Sequence, residues 1–234
     1  MTCIRPKHLA TTVAVAVTLG LGATQTAAAA VHVHVRVEGP TATITQSDPA
    51  PITGTFIGHP LSTPTALGAL LAAGRQHRFQ VGLQWFDCCG FFVNSIARTP
   101  GDSAHYWAFK VGHTLSSIGA GSIKAAPGLS VLYYYTTFNS ETGATEPTLG
   151  LDGRRTVGRG GSVTFTVTSW NDAGNGRAAG GALVSVGGVG VHANSAGHLT
   201  VQFSRAGTYP VRAALTGAIR SRTIWVHVLG SASS

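Results

Sequence analysis

Of the residues able to do chemistry, the adjacent pair Cys88-Cys89 stands out, set in Trp85-Phe86-Asp87-Cys88-Cys89-Gly90-Phe91-Phe92. The third cysteine, Cys3, falls in a segment read below as a removable leader. In an oxidising exterior the pair has three fates: a vicinal disulfide, bridges to other chains, or free thiols. A ring closed between neighbours constrains little of the unfolded chain, so its use would be to stiffen a turn beside Trp85, Phe91 and Phe92. Thiol exchange wants Cys-x-x-Cys and a zinc site wants more ligands at suitable spacing, so neither is expected here. His32 and His34 share a strand face and suggest a metal pair. Spacing indicates no third ligand, however, which favours a plain solvent-facing strand and no metal.

Catalysis has as little to build on. Glu38, Asp87 and Asp102 are scattered, and the sequence holds no Gly-x-Ser-x-Gly elbow and no His-Glu-x-x-His helix. Asp102 and His105 read either as an acid-base pair across a loop or, beside Tyr106-Trp107, as packing and hydrogen-bonding residues. The expectation is a protein that is not an enzyme, with no catalytic residues.

The aromatics are the stronger signal. Tyr106-Trp107-Ala108-Phe109-Lys110-Val111 and Val131-Leu132-Tyr133-Tyr134-Tyr135 are strands carrying rings where a plain core strand carries Val, Ile or Leu. Alternation puts Trp107, Phe109 and Val111 on one face and Tyr106 and Ala108 on the other, and sets Tyr134 opposite its neighbours. A sheet covered by one helix does not bury both faces deeply, so one aromatic set is expected at a surface or groove. The other reading has these rings filling the interface between sheet, loop and a second domain. On the first reading the ligand-binding residues are Trp85, Phe91, Phe92, Tyr106, Trp107, Phe109 and Tyr134, and Trp107→Ala or Tyr134→Ala removes binding without unfolding the protein.

The elements that must hold these residues are legible in outline. Residues 1–29 read as a signal peptide: Arg5, Lys7 and His8 precede the uncharged apolar run 9–22, and Ala27-Ala28-Ala29 offers a cleavage site. That run is shorter than the roughly 20 residues of a spanning helix, and no second such run or C-terminal sorting signal follows, so no transmembrane anchor is expected. Strict alternation of Val31, Val33, Val35 and Val37 predicts a half-buried strand. Gly39-Pro40 turns the chain, 41–45 reads as a strand and 48–60 as loop. A helix is predicted over 65–75, with Ser62 or Thr63 as N-cap, Pro64 in the first turn, and Leu67, Leu70 and Leu71 as its buried stripe. Strands follow at 79–85, 91–96, 106–111 and 131–138.

From residue 162 the pattern shifts to short alternating strands at 162–169, 182–187, 190–193, 198–203, 208–215 and 223–228, separated by Gly, Asn and Asp turns. The fold class expected is mainly β: an α+β, β-grasp-like domain with one helix on a mixed sheet over 30–138, a linker over 139–161, an all-β sandwich over 162–228, and a tail over 229–234. The formal charge is +8; Arg5 and Lys7 supply two of it, leaving +6 after the leader. Thirteen of the sixteen basic residues are Arg, and they are scattered apart from Arg154-Arg155 and nearby Arg159, so no nucleic-acid partner is expected.

The first half resembles the small β-domain at the C-terminus of transcobalamin and intrinsic factor, found also in secreted bacterial proteins of unassigned role. The matching residues are Val35-Arg36-Val37-Glu38-Gly39, Ala66-Leu67-Gly68-Ala69-Leu70-Leu71, Phe92-Val93-Asn94-Ser95-Ile96, the strand from Tyr106 to Val111, Gly119-Ala120-Gly121, and Gly128 leading into Tyr133-Tyr134-Tyr135. The resemblance implies one helix on a mixed sheet and, by way of the cobalamin transporters, a corrinoid as the one cofactor to consider. Asn194-Ser195-Ala196-Gly197-His198 and Gly207-Thr208-Tyr209-Pro210 resemble bacterial immunoglobulin-like modules, which present or space a neighbouring domain. Together these point to a secreted or envelope-associated binding module for an apolar or planar molecule, a glycan or a protein partner. The alternative is a structural cell-surface or adhesion component with the sandwich as spacer.

Overall fold

The computed structural model describes residues 30–137, Asn139 and 141–230, so residues 1–29, where the signal peptide is expected, Phe138, Ser140 and the last four residues lie outside the description. The first half contains β1 (His34–Glu38), β2 (Thr43–Ser47), β3 (Gly54–Phe56), β4 (His59–Leu61), α1 (Ala66–His77), β5 (Val81–Phe86), β6 (Gly90–Ile96), β7 (Thr99–Pro100), β8 (His105–Val111), β9 (Thr114–Leu115) and β10 (Ser130–Thr137). Its main sheet runs β2-β1-β10-β8-β9, and β1 pairs parallel with β10, which makes the sheet mixed as expected. Hairpin β3-β4 and the three-stranded β5-β6-β7 stand beside it.

Alternation in β1 drives the packing. Val33, Val35 and Val37 are buried against Leu67 and Leu70 of α1, together with Val131, Tyr133, Trp107, Phe91 and Ile96. The helix begins two residues past Pro64 and is capped by Thr65, whose Oγ1 accepts the Gly68 N–H at 3.1 Å; Ser62 and Thr63 do not cap it. The reason is tertiary. Ala125 N–H donates to Pro64 O and Ala66 N–H to Ile123 O, so 64–66 is held extended along the 123–125 segment before the helix can start.

The second half contains β11 (Thr148–Asp152), β12 (Thr156–Gly158), β13 (Ser162–Trp170), β14 (Gly176–Ala178), β15 (Leu183–Val186), β16 (Val189–His192), β17 (His198–Gln202), β18 (Gly207–Ala214) and β19 (Ile224–Leu229). One sheet runs β11-β13-β14 with β17 also on β13, the other β12-β19-β18-β15-β16. Phe165, Val167, Val184, Val211, Ile224 and Val226 fill the space between them. The linker expected over 139–161 is shorter than its composition suggested. Leu149, Leu151 and Val157 are buried in the sandwich core, and β11 and β12 pair with β13 and β19. Gly and Arg between those few apolar residues hide a period-two pattern that the neighbouring strands complete.

The outer face of the first sheet is covered as well. Ala108, Leu132 and Tyr134 form a small second core with Tyr106, Leu115 and Ile219, the last from the sandwich. Two buried charges flank this contact. Lys110 reaches Asp172 at 3.2 Å and the carbonyls of Asn171 and Trp170 at 2.9 and 3.2 Å. Glu38 accepts from Thr43, Arg212 and Arg220 at 3.0 to 3.2 Å. An unpaired charge would be costly there, so these bonds fix the docking geometry of the two halves.

Candidate functional site

The structure divides the predicted ligand-binding aromatics into two groups. Trp107 and Tyr134, expected at a surface, are 4% and 0% exposed. Trp107 sits on the helix side of the sheet and its indole N–H donates to the Thr99 carbonyl at 2.8 Å. Tyr134 faces the sandwich, and its hydroxyl lies 2.8 Å from Thr145 Oγ1, which itself donates to Asp172 at 2.7 Å. Burial first pushes the Tyr134 hydroxyl well above its ordinary pKa, so it stays a neutral donor. Phe109 is half-buried and stacks on Tyr133, and half-buried Tyr106 belongs to the small second core. The helix-side core takes Trp107 and Phe109, while the second half supplies cover for Tyr134 and Tyr106, so these four rings are packing residues.

Trp85, Phe91 and Phe92 are brought together on the β5-β6 hairpin. Cross-strand register sets Trp85 opposite Phe91 and Gln84 opposite Phe92, which places Trp85 and Phe91 on one face and Phe92 with Phe86 on the other. Phe86 and Phe92 are each 43% exposed and meet edge to face at 6.0 Å. On the opposite face the Trp85 indole stacks on His59 of β4 at 3.9 Å, with Phe91 edge-on at 5.0 Å. Trp85 Nε1 donates to Asp87 at 3.0 Å, which fixes the ring along the turn.

The turn itself is closed by a disulfide between Cys88 and Cys89. Cys89 N–H donates to the Phe86 carbonyl at 3.0 Å, and Gly90, at φ 79°, takes the left-handed conformation needed to re-enter β6. A hollow of about 250 Å³ lies between this turn, the segment Pro60–Thr63 and the Gly119–Ser122 loop, with Trp85, Cys89 and Phe91 in its wall. Its lining carries hydroxyls from Ser62, Thr63 and Ser122 but no ionisable charge. Such a wall suits a flat, uncharged or weakly polar group. His59 escapes sequence reading because it lies in the stretch 48–60, whose Pro and Gly content resembles plain loop; the only cue is a ring directly after Ile57-Gly58.

The remaining candidates are set apart from this hollow. Asp102 accepts N–H bonds from Ala104 and His105 at 2.8 and 2.7 Å and meets the His105 ring at 3.0 Å. The Ala104 N–H first, then the His105 ring and N–H, hold its carboxyl at about 2. His105 in turn stacks on Tyr135 at 5.3 Å, so the pair caps the turn into β8. His32 and His34 both turn to Asp48, at 2.7 Å from its carbonyl and 2.5 Å from its carboxylate. Among the described residues no group of three or more His, Cys, Asp or Glu side chains is placed to hold a metal ion. Nor is any described helix long and apolar enough to cross a membrane.

No protein-family model and no curated protein matches this sequence. Among solved structures, the D00-D0 domain of Intimin is similar over 65% of this chain and 79% of that one, at 15% identity and a TM-score of 0.23, which is too slight to carry an argument.

Proposed function

We propose that the protein is a secreted, non-enzymatic binding module whose ligand presents a flat, largely apolar surface to the β5-β6 hairpin. The observation that carries this reading is the uncharged hollow walled by Trp85 and Phe91 and closed by the Cys88-Cys89 turn. A vicinal disulfide adds little to global stability, so its place beside the only half-buried Trp of the first half points to shaping a contact surface. The transcobalamin-like pattern of the first half makes a corrinoid the first ligand to try.

The test is a titration of the oxidised protein with cobalamin, followed by Trp fluorescence and absorbance. Saturable quenching that is lost in Trp85→Ala and kept in Phe109→Leu supports the reading. No saturable response, or equal affinity in Trp85→Ala, overturns it. A second reading, a structural component of the cell envelope, is favoured by the buried Lys110–Asp172 and Glu38–Arg220 contacts, which make the sandwich a rigid mount. Retention in the envelope fraction after a low-salt wash supports that reading; release of all the protein into the medium counts against it.

A further inference from the structure

A second and larger hollow, of about 530 Å³, lies between the two halves and is lined by both. Its floor is the outer face of β1 and β10; its roof is β11 with Trp170 of β13. The volume falls in the range of small-molecule sites, roughly 300–1,000 Å³.

Its charge is unbalanced. Arg36, Arg155 and Arg222 line it from three separate segments, facing Asp48 and Asp152. Asp48 is already engaged by His34 at 2.5 Å. Behind Arg36, Glu38 is bonded to Arg212 and Arg220, and Arg36 Nε stands 3.9 Å from its other oxygen. Five guanidinium groups thus share three carboxylates. Among the described residues the exposed Arg155 and Arg222 side chains make no hydrogen bond or ion pair, and the buried Arg212 Nε has no partner. Arg36, pressed by burial first and by its Arg neighbours, is held down at about 10 despite Glu38. Arg36 Nη1 already donates to the Arg220 carbonyl at 3.2 Å, so the unpaired forks in the hollow are those of Arg155 and Arg222, which suit a carboxylate or phosphate.

One wall is flat. The Trp170 indole stacks on the His113 ring at 3.9 Å, with 7° between the planes. Gly150 on the neighbouring strand makes room for it: a Cβ there would stand 2.8 Å from Trp170 Nε1. That indole N–H makes no hydrogen bond among the described residues, which leaves a donor at the rim of the hollow.

We infer that the hollow between the two halves binds a small molecule combining a planar ring with an oxyanion, the ring against Trp170-His113 and the oxyanion among Arg36, Arg155 and Arg222. This site is separate from the β5-β6 hairpin, whose hollow carries no ionisable charge.

The probe is 1-naphthyl phosphate, titrated by calorimetry into the intact protein beside 1-naphthol and inorganic phosphate. The expected result is saturable binding of 1-naphthyl phosphate at least about tenfold tighter than either part alone, weakened by added salt. Arg155→Gln combined with Arg222→Gln should cost about tenfold or more, since two charge-assisted contacts are removed from exposed positions that pack against nothing in the core. Trp170→Leu should bring affinity down to that of inorganic phosphate, and Trp85→Ala should leave it unchanged. Thermal unfolding of each variant checks that the fold survives. No saturable binding of any probe up to about 10 mM, a range that reaches even the weakest specific complexes, overturns the inference. So does binding that the Arg155/Arg222 pair of substitutions leaves intact.

Discussion

Asp102 shows how a residue with catalytic potential becomes a structural one. Its carboxylate holds two backbone N–H groups and the His105 ring at the start of β8, and this holds its pKa at about 2, below the ordinary 3.8. A depressed carboxylate contributes stability that is fully present above its unfolded value and is lost as pH falls through its folded one. The difference in melting temperature between the native protein and Asp102→Ala should therefore be constant above about pH 4 and shrink as pH falls toward 2. A difference that stays flat down to pH 2 would show that the turn does not depend on the ionised group. The sequence brings Asp102 and His105 together correctly, by their spacing of three, but it does not disclose Tyr135 stacked on His105. Burial is where residue-level reading fails. Alternation separates Trp107 from Tyr106 and Tyr134 from Tyr133, but it does not show that both faces of the sheet are covered, because the cover for Tyr134 comes from Ile219, far along the chain.

At the scale of elements, the β5-β6 hairpin separates stability from shape. Linking Cys88 to Cys89 constrains neighbours only, worth about 1 kcal/mol by chain entropy. The Cys88→Ser/Cys89→Ser variant should accordingly unfold within about 1 kcal/mol of the native protein. Its Trp85 emission should shift, since the turn that seats the ring is no longer fixed. A large loss of stability in denaturant titration would instead make the disulfide a general staple. The hairpin strands, the helix and the two aromatic strands are readable from periodicity. Strands β3, β4, β7, β9 and β14 are not: each has only two or three residues, too few for a period; β7, β9 and β14 exist by pairing with a longer neighbour, and β3 and β4 by pairing with each other. The same holds for β11 and β12, whose Gly and Arg content reads as linker until β13 and β19 are in place.

For the whole molecule, the two halves share an interface held by buried charge, which composition does not reveal because Lys110 and Asp172 are 62 residues apart. Lys110→Met leaves Asp172 without its ammonium partner and the Asn171 carbonyl without a donor, and should cost about 3 kcal/mol in urea unfolding. The native protein should unfold in one transition seen alike by Trp fluorescence and by circular dichroism. Two separated transitions would show that the halves are independent despite these contacts. Each half also joins an early strand to its final one in parallel: β1 to β10, and β12 to β19. A pull along the backbone then draws paired strands past one another in opposite senses, so their hydrogen bonds resist together instead of opening one at a time. By its topology, then, each half is suited to resist tension along the chain.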